Sequence, residues 1–127
     1  MDKKTNEKFI EKVKEKANNI LNQYDDKDKN RIVLAESIFF KLRKMRKKYK
    51  VNNTEIITYL LGEYIEGNTN VEVKKRRNWQ EEKRHTTVYL PKEFEDKVND
   101  VMLEKRHISF NNLINKLLEE EFFNKIK

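Results

Sequence analysis

The amino-acid sequence predicts a mostly helical fold with one short two-stranded antiparallel β-ribbon. The 127 residues are 40% charged and 36% hydrophobic and include only two Gly and one Pro, a composition typical of helices joined by short connections. Apolar residues recur at helical spacing over most of the chain. Two short β-branched segments interrupt that spacing, and each is followed by two helical segments. The pattern of strand, helix and helix therefore occurs twice.

Residues 1–28 are predicted to form an amphipathic helix and a polar connector. Apolar residues recur at steps of three and four from Phe9 to Tyr24, which predicts one helix over residues 5–24, and Asp-Asp-Lys-Asp follows at residues 25–28. Such an apolar stripe must be covered, either by the core of its own chain or by the matching stripe of another molecule. The second arrangement would make this helix a surface for self-association.

Residues 29–66 are predicted to form the first strand–helix–helix unit. Residues 29–34 (KNRIVL) alternate between two faces and are β-branched, which indicates a strand. Helical spacing resumes over residues 37–50. Residues 51–54 interrupt it, because Asn and Thr cap a new helix better than they extend an old one. A second helix with a wide apolar stripe follows and ends at Gly67.

Residues 84–127 repeat this pattern after a basic linker at residues 67–83. At an offset of 56 positions, Val88 corresponds to Ile32 and Leu90 to Leu34, so residues 86–90 (TTVYL) are predicted to be the second strand. One extra residue then changes the offset to 57, and the apolar positions of the second helix again coincide. Because a unit of roughly 40 residues has an unpaired strand and too small a core, the two units are expected to pair within one chain.

The net charge of +7 is concentrated in the middle of the chain. Residues 29–66 carry 9 basic and 4 acidic groups and residues 67–83 carry 5 and 3, whereas the two outer segments are each balanced. A basic segment of this kind is typical of proteins that bind nucleic acid and, less often, of proteins that bind an anionic membrane surface. On charge alone, a lysine-rich solvated surface is an equal alternative.

The sequence argues against a metal centre, an enzyme and a membrane span. The chain has no Cys, and His85 and His107 are far apart in the sequence, so no cofactor is expected. Ser37 and Ser109 are the only serines, and no Gly-rich phosphate loop accompanies them, which predicts a protein that is not an enzyme. The longest apolar run has four residues, far below the roughly 20 that span a bilayer. We expect a cytoplasmic protein without a membrane partner.

The second unit resembles the ribbon-helix-helix DNA-binding proteins of the Arc and MetJ type. The resemblance rests on an alternating strand that ends in Leu-Pro, the helical spacing after it, an Ile-Ser-x-Asn turn and a Leu-Ile pair in the next helix, all within HTTVYLPKEFEDKVNDVMLEKRHISFNNLINKLLEEEF. The first unit is similar but looser, with Ala-Glu-Ser where the second has Pro91. A chain with two such units is similar to some plasmid-transfer and archaeal-virus DNA-binding proteins.

The resemblance implies that outward-facing ribbon residues contact bases in the major groove of double-stranded DNA. Arginine can bridge O6 and N7 of guanine, and threonine can hydrogen-bond a base edge or pack on a thymine methyl. Two of these residues, Val33 and Tyr89, have a second interpretation, since an outward apolar or bulky side chain can also pack against a neighbouring molecule. The full predicted set is Lys29, Arg31 and Val33 from the first strand and His85, Thr87 and Tyr89 from the second.

The resemblance also implies phosphate contacts from backbone N–H groups where the second helix of each unit begins. There the unpaired amides and the positive end of the helix dipole favour an anion, although plain helix capping is an equally compatible role. Basic residues of the linker are predicted to add backbone contacts, with those between residues 41 and 50 as the alternative source. The predicted phosphate contacts are Asn52, Asn53, Thr54, Ser109, Phe110, Asn111, Lys74, Lys75, Arg76 and Arg77.

The predicted function is sequence-specific DNA binding by a transcriptional regulator, a repressor of plasmid or viral origin. Because the outward residues of the two strands differ, the DNA site is expected to be asymmetric. An accessory factor for DNA architecture, plasmid transfer or partition has the same chemistry and remains the main alternative. An antitoxin, a structural helical protein and a peripheral membrane binder are the others, and the short segment after the last helix weakens the antitoxin interpretation.

Overall fold

The part of the chain that the structure describes folds as a two-stranded ribbon supported by five helices. A computed structural model describes residues 3–75 and 80–126. In chain order the elements are α1 (Lys3–Leu21), β1 (Asp28–Ala35), α2 (Glu36–Tyr49), α3 (Asn53–Ile65), β2 (Lys83–Leu90), α4 (Lys92–Lys105) and α5 (Phe110–Leu117), followed by a π-helical turn at Leu118–Phe122. The predicted mostly helical fold with a short antiparallel ribbon is thereby confirmed.

The elements agree with the sequence pattern apart from their ends. β2 begins three residues earlier than expected, at Lys83, because its partner β1 is long enough to pair with the added residues. α1 ends at Leu21 rather than at residue 24, and Tyr24 then packs near the ring of Phe94, with 6.4 Å between the ring centroids. Both α2 and α4 end at a residue in the left-handed conformation, Lys50 and Arg106.

The core lies beneath the inner face of the ribbon. β1 and β2 pair antiparallel, and Ile32, Leu34, Val88 and Leu90 are all buried on the same side. Buried residues of α2, α3, α4 and α5 complete the core below them. The alternation of the strands therefore leaves every second residue on the opposite, outer face.

The apolar stripe of α1 is covered by its own chain. Ile10, Val13 and Ala17 are buried, and α1 packs along α3. Gly62 permits this close approach, since a Cβ atom there would lie 2.6 Å from Cδ1 of Ile20. Self-association through the α1 stripe consequently has no support, because the surface on which that expectation depended is already filled.

The segment between the two units is partly built into the fold. Val71 and Val73 are buried, and the carbonyl of Val73 accepts a hydrogen bond of 2.8 Å from the backbone N–H of Ile108. The sequence predicted a basic linker here, and two isolated valines make no periodic pattern that would indicate burial. Within the described ranges, no helix has both the length and the apolar character to cross a membrane.

Candidate nucleic-acid interface

The six residues predicted to face outward lie together on the outer face of the ribbon. They form three directly opposed cross-strand pairs, and residues paired in an antiparallel ladder share a face. Lys29, Arg31, His85 and Tyr89 are exposed, while Val33 and Thr87 are half-buried. The pairs are Lys29 with Tyr89, Arg31 with Thr87, and Val33 with His85.

The ribbon face is longer than the sequence suggested. Lys83 pairs with Ala35 and thus shares the outer face, whereas Arg84 pairs with Leu34 and belongs to the inner face at the end of the ribbon. Arg84 forms an ion pair of 3.3 Å with Glu36 and stacks 5.4 Å from the ring centroid of Phe40. The sequence pattern missed these residues, because polar residues at a strand end have no alternating signal.

Two asparagines of α5 satisfy the free edge of β1. An edge strand leaves backbone N–H and C=O groups without a ladder partner. The Asn115 side chain supplies both kinds of partner: Oδ1 accepts from the Ala35 N–H at 2.9 Å, and Nδ2 donates to the Val33 carbonyl at 2.9 Å. Asn111 Oδ1 accepts from the Val33 N–H at 3.1 Å. The start of α5 is thereby held against the ribbon.

The free edge of β2 is held by the start of α3. Thr54 Oγ1 accepts a hydrogen bond of 3.0 Å from the Tyr89 N–H, and Asn53 Nδ2 donates to Thr86 Oγ1 at 2.6 Å. At the offsets of the sequence repeat, Thr54 corresponds to Asn111 and Tyr89 to Val33. The same contact therefore occurs at both edges of the ribbon.

One position departs from this correspondence for a chemical reason. Asn115 corresponds to Thr58 and Ala35 corresponds to Pro91. Proline has no N–H group, so the β2 edge needs no acceptor there. Thr58 is fully buried, and its Oγ1 has no hydrogen-bond partner among the described residues.

The two helix starts present backbone amides beside the ribbon. Asn52 caps α3 in a capping box, and its own N–H is taken by Glu55 Oε1 at 3.1 Å. Ser109 caps α5 by accepting from the Asn112 N–H at 3.3 Å. For the first two backbone N–H groups of each helix, those of Asn53, Thr54, Phe110 and Asn111, the described residues supply no partner. The predicted phosphate-binding residues thus also have capping and edge-holding roles.

The predicted linker contacts are only partly visible. Lys74 and Lys75 are exposed, and Lys74 lies with Lys105, Arg106 and His107 along a shallow cleft at the end of α4. Arg76 and Arg77 lie outside the described residues. Lys74 therefore lies beside the second unit rather than on the ribbon face.

The two histidines occupy unlike sites. His85 belongs to the exposed ribbon face, whereas His107 is buried and its Nδ1 lies 2.7 Å from the Tyr64 hydroxyl. Burial, together with the charges of Lys105 and Lys74, lowers the pKa of His107, and burial raises the pKa of Tyr64 to about 12. The Tyr64 hydroxyl and the His107 ring thus share a hydrogen bond between two neutral groups, and the imidazole tautomer decides which of them donates.

Comparisons with models of protein families, with curated proteins and with solved structures find no match to this chain. Functional inference consequently depends on the geometry of the ribbon, its edges and the helix starts.

Proposed function

We propose that this protein binds double-stranded DNA sequence-specifically by inserting the outer face of its ribbon into the major groove. The observation that carries the proposal is the single exposed face formed by three cross-strand pairs that include Lys29, Arg31, His85 and Thr87. The major groove is about 12 Å wide and admits a two-stranded ribbon. Side chains of these types donate to base edges or contact a thymine methyl.

The two units act as an intramolecular pseudo-dimer of the ribbon-helix-helix type. Arg31 and Thr87 pair in register, and they also correspond under the 56-residue offset of the repeat. A pseudo-two-fold axis through the centre of the ribbon has this property. The matching edge contacts of Thr54 and Asn111 support the same axis.

The starts of α3 and α5 clamp the DNA backbone on either side of the groove. Their unpaired amides carry the positive end of each helix dipole, which favours a phosphate. Because side chains of both helix starts bond to the ribbon edges, clamp and ribbon move as one body. In the cell the protein acts as a transcriptional regulator, a repressor in the simplest case.

Duplex selection followed by salt-dependent titration tests this function. We expect random-duplex selection to recover one asymmetric consensus site, and the affinity for it to fall steeply with salt. A protein that neutralises roughly 6 phosphates has a log–log slope near −5. A slope shallower than about −2, or no enrichment over the starting pool, would contradict the proposal.

A further inference from the structure

The two helices that follow the ribbon strands carry opposite net charge. α2 has six basic residues and one acidic residue, whereas α4 has three basic and five acidic residues. The helices occupy corresponding places, since each begins where a ribbon strand ends and leads to a helix whose start holds a ribbon edge. Both sides of a DNA groove present the same phosphate charge, so α2 and α4 cannot interact with it alike.

The contrast is greatest on one exposed face of α2, which we call the lysine face and define as Lys44, Lys47 and Lys48. Residues spaced by three and four positions are neighbours on a helix surface, and all three lysines are exposed. The residues 56 positions later are Asp100, Leu103 and Glu104, which are also exposed. Three positive charges on one side thus correspond to two negative charges and one apolar side chain on the other.

The lysine face lies on the helix that leads into the start of α3, and the start of α3 holds the β2 edge of the ribbon. α2 ends at Tyr49, and after a short turn α3 begins at Asn53, whose neighbour Thr54 bonds to the backbone of β2. Within the described part of the chain, no carboxylate forms an ion pair with any of the three lysines. Their charge is therefore available to a ligand that lies along this flank of the ribbon.

We propose that the lysine face is a second surface for the DNA backbone, and that it engages DNA on the α2 side only. This inference rests on the proposed function. Phosphate contacts position a protein without reading sequence, so contacts on one flank extend the footprint in one direction. They also orient a nearly symmetric ribbon on its site, since the reversed complex would place the lysines on the other flank.

Paired triple variants test this inference on the selected duplex. The Lys44→Gln, Lys47→Gln, Lys48→Gln variant loses the lysine face, and the control Lys92→Gln, Lys97→Gln, Lys105→Gln loses the same charge from α4. Each lost phosphate contact makes the log–log salt slope shallower by about 0.9. For the lysine-face variant we expect the slope to become shallower by about 2 to 3, with at least a tenfold loss of affinity at about 0.1 M salt. For the control we expect less than half of this slope change.

Hydroxyl-radical footprints then locate the contacts. We expect the unmodified protein to protect a longer stretch on one side of the site, and the lysine-face variant to lose that extension. Transplanting the charge with Asp100→Lys, Leu103→Lys and Glu104→Lys should add protection on the opposite side. Circular dichroism and urea midpoints confirm that each variant is folded.

The outcomes separate the two proposals. If the unmodified protein binds no duplex specifically, both are overturned. If it binds specifically but the lysine-face variant and its control behave alike, only the one-sided contact is overturned. The lysine-face variant could instead keep its salt slope for DNA and lose self-association or binding to an acidic protein. This result would assign the lysine face to a protein partner and overturn the inference.

Discussion

Single side chains decide how the ribbon edges are completed. Asn115 sits on the apolar side of α5 and is fully buried, which is unfavourable for an amide unless its groups are paired. Its amide places donor and acceptor groups side by side as a peptide group does, and it pairs with Val33 and Ala35 as a third strand would. Thr58 holds the corresponding position in α3, beside β2, which is followed by Pro91. Among the described residues its hydroxyl has no hydrogen-bond partner.

Replacing Asn115 should therefore be far more costly than replacing Thr58. Asn115→Ala leaves a buried N–H and a buried C=O without partners, which we expect to lower the free energy of unfolding by about 2–4 kcal/mol. Thr58→Val removes a hydroxyl for which the described residues supply no hydrogen-bond partner, and it should change the free energy of unfolding by less than about 1 kcal/mol. Urea titration of both variants gives the comparison. Equal losses would show that the edge contacts do not contribute to stability.

Arg31 is the residue that we expect to contribute most to base selectivity. It is exposed at the centre of the ribbon and lies opposite Thr87. Arg31→Ala should lower discrimination between the selected site and a site with a changed central base pair by about 1–3 kcal/mol. Competition titrations against both duplexes measure this, with Lys75→Ala as a control that weakens both alike. An equal loss on both duplexes for Arg31→Ala would contradict a reading role.

His107 should make the fold sensitive to mild acid. Its pKa is lowered by burial and by Lys105 and Lys74, so on acidification the unfolded chain takes up the proton first and stability falls as the pH drops below about 6.5. Urea titrations at pH 7.5 and pH 5.5 should reveal this loss. His107→Asn keeps a hydrogen-bonding side chain near Tyr64 and should reduce this loss of stability. His85→Asn, at an exposed position, should leave the loss unchanged. A loss of the same size in His107→Asn would refute this.

At the scale of elements, the ribbon and the helix starts depend on each other. The backbone N–H groups of Val33 and Ala35 point to the free edge of β1, where they donate to side chains of α5. The backbone groups of Ile32 and Leu34 therefore point to β2. The outward pairs are therefore the non-hydrogen-bonded pairs of the ladder, in which opposite side chains lie closest. The outer face, which we propose to read bases, is therefore built from closely spaced side chains.

Breaking one strand should consequently unfold the whole domain. Ile32→Pro removes a donor to β2 and a buried core side chain together, which we expect to cost more than about 3 kcal/mol. Ile32→Val keeps the donor and should cost only about 1 kcal/mol. Far-ultraviolet circular dichroism should show strand and helix lost in one unfolding transition, and intrinsic fluorescence should follow the same transition. Retention of native helix packing in Ile32→Pro would mean that the helices form a core without the ribbon.

At the scale of the whole molecule, both ribbon strands come from one chain. Joining them replaces an association between two molecules by a contact at high effective concentration. It also allows the two strands to differ, as Arg31 and Thr87 do at corresponding positions. The result is an asymmetric outer face, which a homodimer with a two-fold axis cannot form.

A cross-link within one chain tests this arrangement. The protein has no cysteine, so Arg31→Cys with Thr87→Cys introduces the only two thiols. Opposed residues of a non-hydrogen-bonded pair lie about 4.5 Å apart at Cα, within the range of a disulfide. We expect rapid oxidation to a monomeric species on non-reducing gels, with each single variant remaining reduced or dimerising slowly. Covalent dimers from the double variant would mean that the units exchange between molecules.

Local sequence patterns were sufficient for the element types, the repeat and the outer face of the ribbon. The alternation in β1 and β2 assigns Ile32 and Val88 to one face and Arg31 and Thr87 to the other, and this depends only on the period of a strand. Helix starts were equally readable, because Asn52 and Ser109 are residues that cap helices in any context. The DNA-binding role of these residues remains a prediction.

Contacts between distant residues required the tertiary structure. Nothing in the spacing of α1 distinguishes packing on α3 from packing on another molecule, since either partner buries the same stripe. The edge contacts of Asn115 join residues about 80 positions apart, and a buried amide in a helix has no local signal for its partner. The proposed role of the lysine face depends on the corresponding positions of α2 and α4 in the fold, because charges interact through distances in space rather than along the sequence.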